Sequence, residues 1–235
     1  MIPLRDHNPH DGPSPVTITL IVINVIVFFF EPLDSLEAWI PYADRWAIIP
    51  AQLIASPVAE FYTIVTAMFL HGSIAHLGGN MLYLWIFGDN IEHILGPIRY
   101  LMFYLLCGFV ATLSQVYIDP TSTIPNVGAS GAIAGVLGGY FLLFPSAHVT
   151  TLIPILLFRR IRLPALAVLG FWFVMQLWSG YQELGMVGEG GVAFWAHIGG
   201  FVAGVLAVKL FGDARKLNNA QLEYMHFEES YYQEK

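Results

Sequence analysis

The sequence predicts an all-α, polytopic membrane protein, a six-transmembrane-helix bundle with a long extracellular or periplasmic first loop. Hydrophobic residues make up 56% of the 235-residue chain and charged residues only 11%, outside the range of soluble globular domains. Apolar stretches approaching the ~20 residues needed to cross the hydrocarbon core recur along the chain. Lys and Arg, which concentrate in cytoplasmic loops, gather at alternate ends of these stretches.

The first span runs from about Val16 to Phe30, opened by Pro15 where proline suits a helix start. The second runs from about His76 to Leu95 and the third from about Arg99 to Ile118. The fourth, from about Ser130 to Phe144, is closed by Pro145; the fifth occupies about Leu163 to Leu184 and the sixth about Val192 to Phe211. Between the fourth and fifth, Val149 to Phe158 is apolar but short and holds Pro154, so it reads as re-entrant or interfacial. A seven-span chain is the alternative. The long stretch from Glu31 to Ala75 carries Trp39, Tyr42, Trp46, Phe61 and Tyr62, aromatics that favour the headgroup level, and reads as an outer loop lying partly in the interface.

With the N-terminus inside, Arg5, Arg99, Arg159, Arg160, Arg162, Lys209, Arg215, Lys216 and Lys235 are cytoplasmic or at the cytoplasmic border, and Arg45 alone is outside. A seventh span would put the arginine cluster on the wrong side. The domain plan is then residues 1–14 as a cytoplasmic segment, 15–211 as the six-helix domain and 212–235 as a cytoplasmic tail. The first residues have neither a signal-peptide core nor a transit-peptide composition. A multi-pass protein of a bacterial inner membrane is the expectation. The net charge of −7 comes with no basic stripe, so nucleic acid is not an expected partner. The single cysteine, Cys107, rules out a disulfide framework and a cysteine metal site.

In this topology the second, fourth and sixth spans run from outside to inside. His76 and Asn80 sit in the first turns of the second, Ser130 opens the fourth, and His197 lies in the first turns of the sixth. At about 1.5 Å rise per residue all four fall in one layer of the outer half of the bilayer. Singly each has a plain structural explanation: serine is common where membrane helices touch, and a His or Asn can serve as an interhelical hydrogen-bonder. Together, four polar groups at one depth point to a site.

Glycines supply the approach. His197, Gly200 and Gly204 form one stripe on the sixth span, and Gly131, Gly135 and Gly139 repeat beneath Ser130 on the fourth. Two facing stripes let helix backbones come close. Serine is a poor nucleophile until a base takes its proton, and imidazole suits that role near neutral pH. With no Asp or Glu placed to orient His197, the reading is a Ser130–His197 dyad, with His76, Asn80 and the Ser130 amide as donors for an oxyanion.

These residues resemble the rhomboid intramembrane serine proteases over about Pro15 to Phe211. The likeness rests on His71-Gly72-Ser73-Ile74-Ala75-His76 through Asn80, on Gly128-Ala129-Ser130-Gly131, and on Ala196-His197 with Gly200 and Gly204. The resemblance implies Ser130 as nucleophile, His197 as general base then acid, His76 and Asn80 at the oxyanion, and a water-filled cavity opening outward. It also implies gating by the fifth helix around Phe171-Trp172-Phe173 and by the loop from Glu183 to Gly191. Where the family often carries Glu-x-x-Arg in the first loop, this chain reads Glu60-Phe61-Tyr62-Thr63, a departure confined to that loop.

The expected function is therefore endopeptidase cleavage of single-span transmembrane substrates near the outer face of the lipid bilayer, without metal or other cofactor. The alternatives are a catalytically inactive relative that binds transmembrane clients, and a transporter or metal-handling protein using His71, His76 and His197. No repeat of the kind many transporters carry is visible.

Overall fold

The computed structural model describes residues 1–8, 13–153, 159–184 and 191–212. In chain order these form β1 (Ile2–Asp6), α1 (Pro15–Phe29), α2 (Leu36–Trp46), α3 (Pro50–Ala55), α4 (Pro57–Glu60), α5 (Thr63–Thr66) and a 3₁₀ turn at Ala67–Phe69. There follow α6 (Ile74–Leu95), α7 (Pro97–Ile118), α8 (Ser130–Leu143), β2 (His148–Ile153), β3 (Arg159–Pro164), α9 (Ala165–Glu183) and α10 (Phe194–Phe211). Two of these helices, α7 and α10, are long and apolar enough to cross a membrane by themselves. The segment Pro57–Phe69 and α6 make a further candidate bent by 81°, while α1 and α8 are shorter apolar helices.

The protein is mostly helical, but not all-α. β1, β2 and β3 form an antiparallel sheet in that order, with Ile2 opposite Leu152 and Thr151 opposite Ile161. This corrects the all-α expectation and the re-entrant reading of the run after Pro145. The run after Pro145 enters a β-hairpin and is not a single re-entrant element, at least through Ile153; residues 154–158 lie outside the described set. The N-terminal segment is a strand on that hairpin. β2 is rich in β-branched residues, which suit a pleated surface. Its partner β1 lies far away in sequence, so local pattern could not announce the pairing. Among the described residues of the stretch that a seventh span would need, His148–Ile153 and Arg159–Pro164 are strands.

The sheet is tied to the bundle through Asp6. Its carboxylate accepts from Asn90 Nδ2 on α6 at 2.8 Å and from Tyr140 Oη on α8 at 2.9 Å. Beside it, Glu92 of α6 caps the start of α1, accepting from Val16 N at 2.8 Å and Thr17 N at 2.7 Å. A carboxylate suits the positive end of the helix dipole and satisfies amides that have no partner within the helix. These contacts put the start of α1 and the far ends of α6 and α8 together with the sheet. At the opposite end Glu31, just past α1, meets His71, just before α6.

The stretch expected as one interfacial loop is knit into short helices, three of them opened by a cap or proline: Ser35 Oγ accepts from Ala38 N at 3.2 Å, and Pro50 and Pro57 start α3 and α4. Where the family pattern has arginine, Thr63 Oγ1 donates to Glu60 O at 2.6 Å. Tyr62 Oη donates to Arg45 O and Thr66 Oγ1 to Trp46 O, at 2.6 and 2.7 Å. Side-chain hydroxyls to backbone carbonyls thus hold the loop.

α8 is the buried axis of the bundle, with every residue from Ala132 to Tyr140 inaccessible. The α8–α10 crossing is made by glycine, though not by two stripes face to face. A Cβ on Gly200 would run into the carbonyl oxygen of Gly131, and one on Gly204 into that of Gly135. The α8 glycines point elsewhere: Cβ atoms on Gly131 and Gly135 would strike Ala111 and Cys107 of α7. Gly138 turns toward α10, where its Cβ would meet Phe201 O, and Gly139 lies between Val208 of α10 and Phe103 of α7. At Gly131 and Gly135 the stripe on α8 therefore admits α7, while the carbonyls of the same residues receive α10.

Gly204→Ala must push backbone from backbone and should cost about 1–3 kcal/mol as an overpacked site. Gly78→Ala on α6, where nothing lies within 4 Å, should be neutral or stabilising by about 0.5–1 kcal/mol. Thermal unfolding of the two detergent-solubilised variants checks this; equal effects would refute the crossing described.

Candidate active site

Ser130 is the first residue of α8 and is positioned by Gly128. That glycine has φ +125°, and a Cβ there would lie 2.8 Å from the His76 ring and 3.6 Å from Asn80 Nδ2. Only glycine fits both the backbone and the space. Its N–H donates to Ala67 O at 2.8 Å, fixing this turn to the 3₁₀ turn at Ala67–Phe69. Ser130 N belongs to the first turn of the helix, where amides have no partner inside the helix and the dipole is positive.

His197, in the first turn of α10, is buried. Its Nε2 lies 2.8 Å from Ser130 Oγ and its Nδ1 lies 2.8 Å from Gln176 Oε1 on α9. Trp172, also on α9, covers the ring with centroids 5.8 Å apart. Because the Gln176 oxygen can only accept, it calls for the proton on Nδ1 and leaves the Nε2 lone pair facing the serine hydroxyl. The α10 start is also held from α7: Ala196 N donates to Gln115 Oε1 at 3.2 Å.

On α6, Asn80 lies one turn past His76, but the two do not satisfy each other. Asn80 Nδ2 is 2.9 Å from Nε2 of His71, and the rings of His71 and His76 meet edge to face at 5.0 Å. One Asn80 N–H is thus engaged by His71 and the other remains to be given elsewhere. Burial above all, with His76 adding to it, brings His71 down to about 4, so its ring stays neutral at physiological pH. His71 N donates in turn to both carboxylate oxygens of Glu31, at 2.9 and 3.1 Å.

Ser130, His197, His76 and Asn80 all line one cavity of about 520 Å³, with Trp172 and Tyr83 on its apolar walls. A second, small space of about 50 Å³ lies on the other side of Ser130, against Thr112, Gln115 and Asn126. Each residue singled out from the sequence is therefore placed: Ser130, His197, His76 and Asn80 line the cavity, Gly128 packs against the His76 ring and lines the small space, and Gly131, Gly200 and Gly204 lie in the helix contacts. Among the described residues no three His, Cys, Asp or Glu side chains gather as a metal would need. Phe173 stacks on Phe201 at 4.5 Å while Phe171 is exposed. Of the loop from Glu183 to Gly191, residues 185–190 lie outside the described set.

Sequence reasoning missed Gln176, Gln115 and the role of His71. The group at His197 Nδ1 is an amide, where the sequence pattern points only to Asp or Glu as candidates. A glutamine inside an apolar helix was itself a signal, because amides in such helices seek a partner on a neighbour.

A family model described as the rhomboid domain matches residues 58–214. Among curated proteins the chain is 29% identical to mitochondrial Rhomboid protein 1 of Saccharomyces cerevisiae, over 83% of this chain and 52% of that one. It is 27% identical to Rhomboid protease GluP of Bacillus subtilis, over 86% of this chain and 36% of the relative. It is likewise 27% identical to Rhomboid protease AarA of Providencia stuartii, over 83% and 72% respectively. The chain thus spans about half or less of the length of the first two.

Burial pushes the Glu31 carboxyl up to about 7 from 4.5, the bond from His71 opposing it. The folded state favours the neutral acid, so this group's contribution to stability is full below pH 4.5 and is lost as pH rises through about 7. Measured against Glu31→Gln, which keeps an acceptor but does not titrate, the wild-type thermal midpoint should fall over that window. A constant difference between the two would refute it.

Proposed function

The chain belongs to the rhomboid family, and on that premise we propose that it is an intramembrane serine endopeptidase that cuts single-span transmembrane substrates near the outer face of the bilayer. The observation that carries the reading is the 2.8 Å approach of Ser130 Oγ to His197 Nε2 at the wall of a cavity. His197 Nε2 takes the hydroxyl proton as Oγ bonds to the substrate carbonyl carbon. The oxyanion that forms is met by Ser130 N–H, by the free Asn80 N–H and by the His76 ring. His197 then returns the proton to the leaving amine, and a water molecule repeats the sequence on the acyl-serine. Removing one oxyanion donor typically costs about 3 kcal/mol of transition-state stabilisation.

The membrane setting fits this chemistry. Among the described residues six helices are 14 to 22 residues long, and α6, α8 and α10 all start at the end that holds the site. With both termini cytoplasmic, the six-helix unit of residues 15–211 sits in a bacterial inner membrane with its arginine-bearing strand β3 inside. Fourteen residues give α8 about 21 Å of rise against a hydrocarbon core of about 30 Å, so Ser130 lies below the outer boundary and the cavity above it admits water. A substrate helix must unwind before its carbonyl can be attacked, which favours small residues before the bond and helix-weakening residues after it.

The test is cleavage of a panel of single-span substrates by the purified protein in liposomes, with products read by mass spectrometry. Ser130→Ala and His197→Ala should each abolish turnover, and the double variant should be scarcely worse, since members of a catalytic unit are strongly non-additive. Turnover by Ser130→Ala near the wild-type rate, or cuts at the cytoplasmic end, would contradict the proposal.

A further inference from the structure

α9 meets the rest of the bundle along one stripe. Leu169, Trp172, Phe173, Gln176 and Gly180 recur at helical spacing on the inward side, whereas Phe171, Val174, Met175, Leu177, Trp178 and Tyr181 are exposed. Trp172 lies on His197, Phe173 stacks on Phe201, and a Cβ on Gly180 would sit 3.3 Å from Phe194 Cβ. In this apolar seam Gln176 is the amide, and the seam sets its oxygen 2.8 Å from Nδ1 of His197. The other ring nitrogen, Nε2, is 2.8 Å from Ser130 Oγ.

We propose that Gln176 is a positioning residue for His197, so that the reacting pair works as a Ser–His–Gln relay in which α9 supplies the third member. This rests on reading Ser130 and His197 as nucleophile and base. Neutral imidazole has two tautomers, and only the one protonated on Nδ1 can take a proton from the serine. The Gln176 carbonyl selects that tautomer and fixes the ring's rotation. When the Ser130 proton moves to Nε2, the imidazolium keeps its Nδ1–H on Gln176 Oε1. The amide accepts no proton and carries no charge. It therefore orients the base and solvates the cation by its dipole, where the carboxylate of a Ser–His–Asp triad adds a full charge.

A glutamine that merely glued α9 to α10 would have the same distance but different consequences. The groups facing the ring are Ser130 on α8, Trp172 and Gln176 on α9, and His76 on α6, the titratable neighbour acting on it. A carboxylate at 176 would therefore face His197 without a competing cation among these neighbours. Gln176→Glu should retain turnover and move the acid limb of kcat/KM up by about one pH unit or more, as an adjacent opposite charge does. Gln176→Met, of similar shape but without the acceptor, should lower kcat by about 100-fold with KM little changed, the scale of a misplaced reacting group.

The experiment combines these pH profiles with ¹⁵N-histidine spectra of the detergent-solubilised full chain, the His197 signals assigned by their loss in His197→Gln. Neutral His197 should carry its proton on Nδ1 in the wild type and lose that preference in Gln176→Met. Labelling of Ser130 by a fluorophosphonate serves as the separate check on the dyad. A wild type that is not labelled fails the parent reading, whatever the spectra show. A labelled wild type whose neutral His197 is protonated on Nε2 overturns the relay, as does a Gln176→Glu profile that does not move. Should Gln176→Met fail to fold, the wild-type tautomer and the Glu profile still decide.

Discussion

Everything at the site depends on how closely α10 can lie against α8. With glycine at 200 and 204, α10 rests on the carbonyl oxygens of Gly131 and Gly135, and no side chain intervenes. That spacing sets the reach of a serine hydroxyl, a short side chain, to the imidazole of the facing helix. Any larger residue in the seam would be met by backbone, which cannot rotate away as a side chain can. The same logic holds on the other side of α8, where Gly131 and Gly135 admit Ala111 and Cys107 of α7. The axis helix is thus gripped from two sides at glycine distance, which accounts for its complete burial from Ala132 to Tyr140.

Around this apolar axis the polar groups are organised as chains that end on backbone or carboxylate. At the site end, Glu31 holds the His71 amide, His71 holds Asn80, and Asn80 faces the cavity beside His76. At the sheet end, Asp6 joins Asn90 and Tyr140, and Glu92 takes the first amides of α1. Buried polar groups are costly unless paired, so each chain fixes the helices it links. The result is a bundle whose two ends are fastened by hydrogen bonds and whose middle is held by close packing. The Ser130–His197 pair at one end sits on a frame that does not depend on side-chain flexibility for its geometry.

Much of this was legible in the residues. Hydrophobic runs of near-spanning length, with proline at their starts and ends, located the long helices to within a few residues, because helix length and termination are local properties. The shared level of His76, Asn80, Ser130 and His197 followed from counting residues along helices, since rise per residue does not change with context. The stacking of small residues at 131, 135, 200 and 204 announced close helix contacts, although which faces met which could not be counted out. What only the tertiary structure decided were pairings between distant segments. Ile2–Asp6 became a strand because His148–Ile153 offered an edge, Asn80 turned to His71 instead of His76, and Gln176 reached His197 from another helix. A single sequence records which side chains want partners, but the partner is chosen by the packing that brings two helices or strands to contact distance, and that is a property of the whole fold.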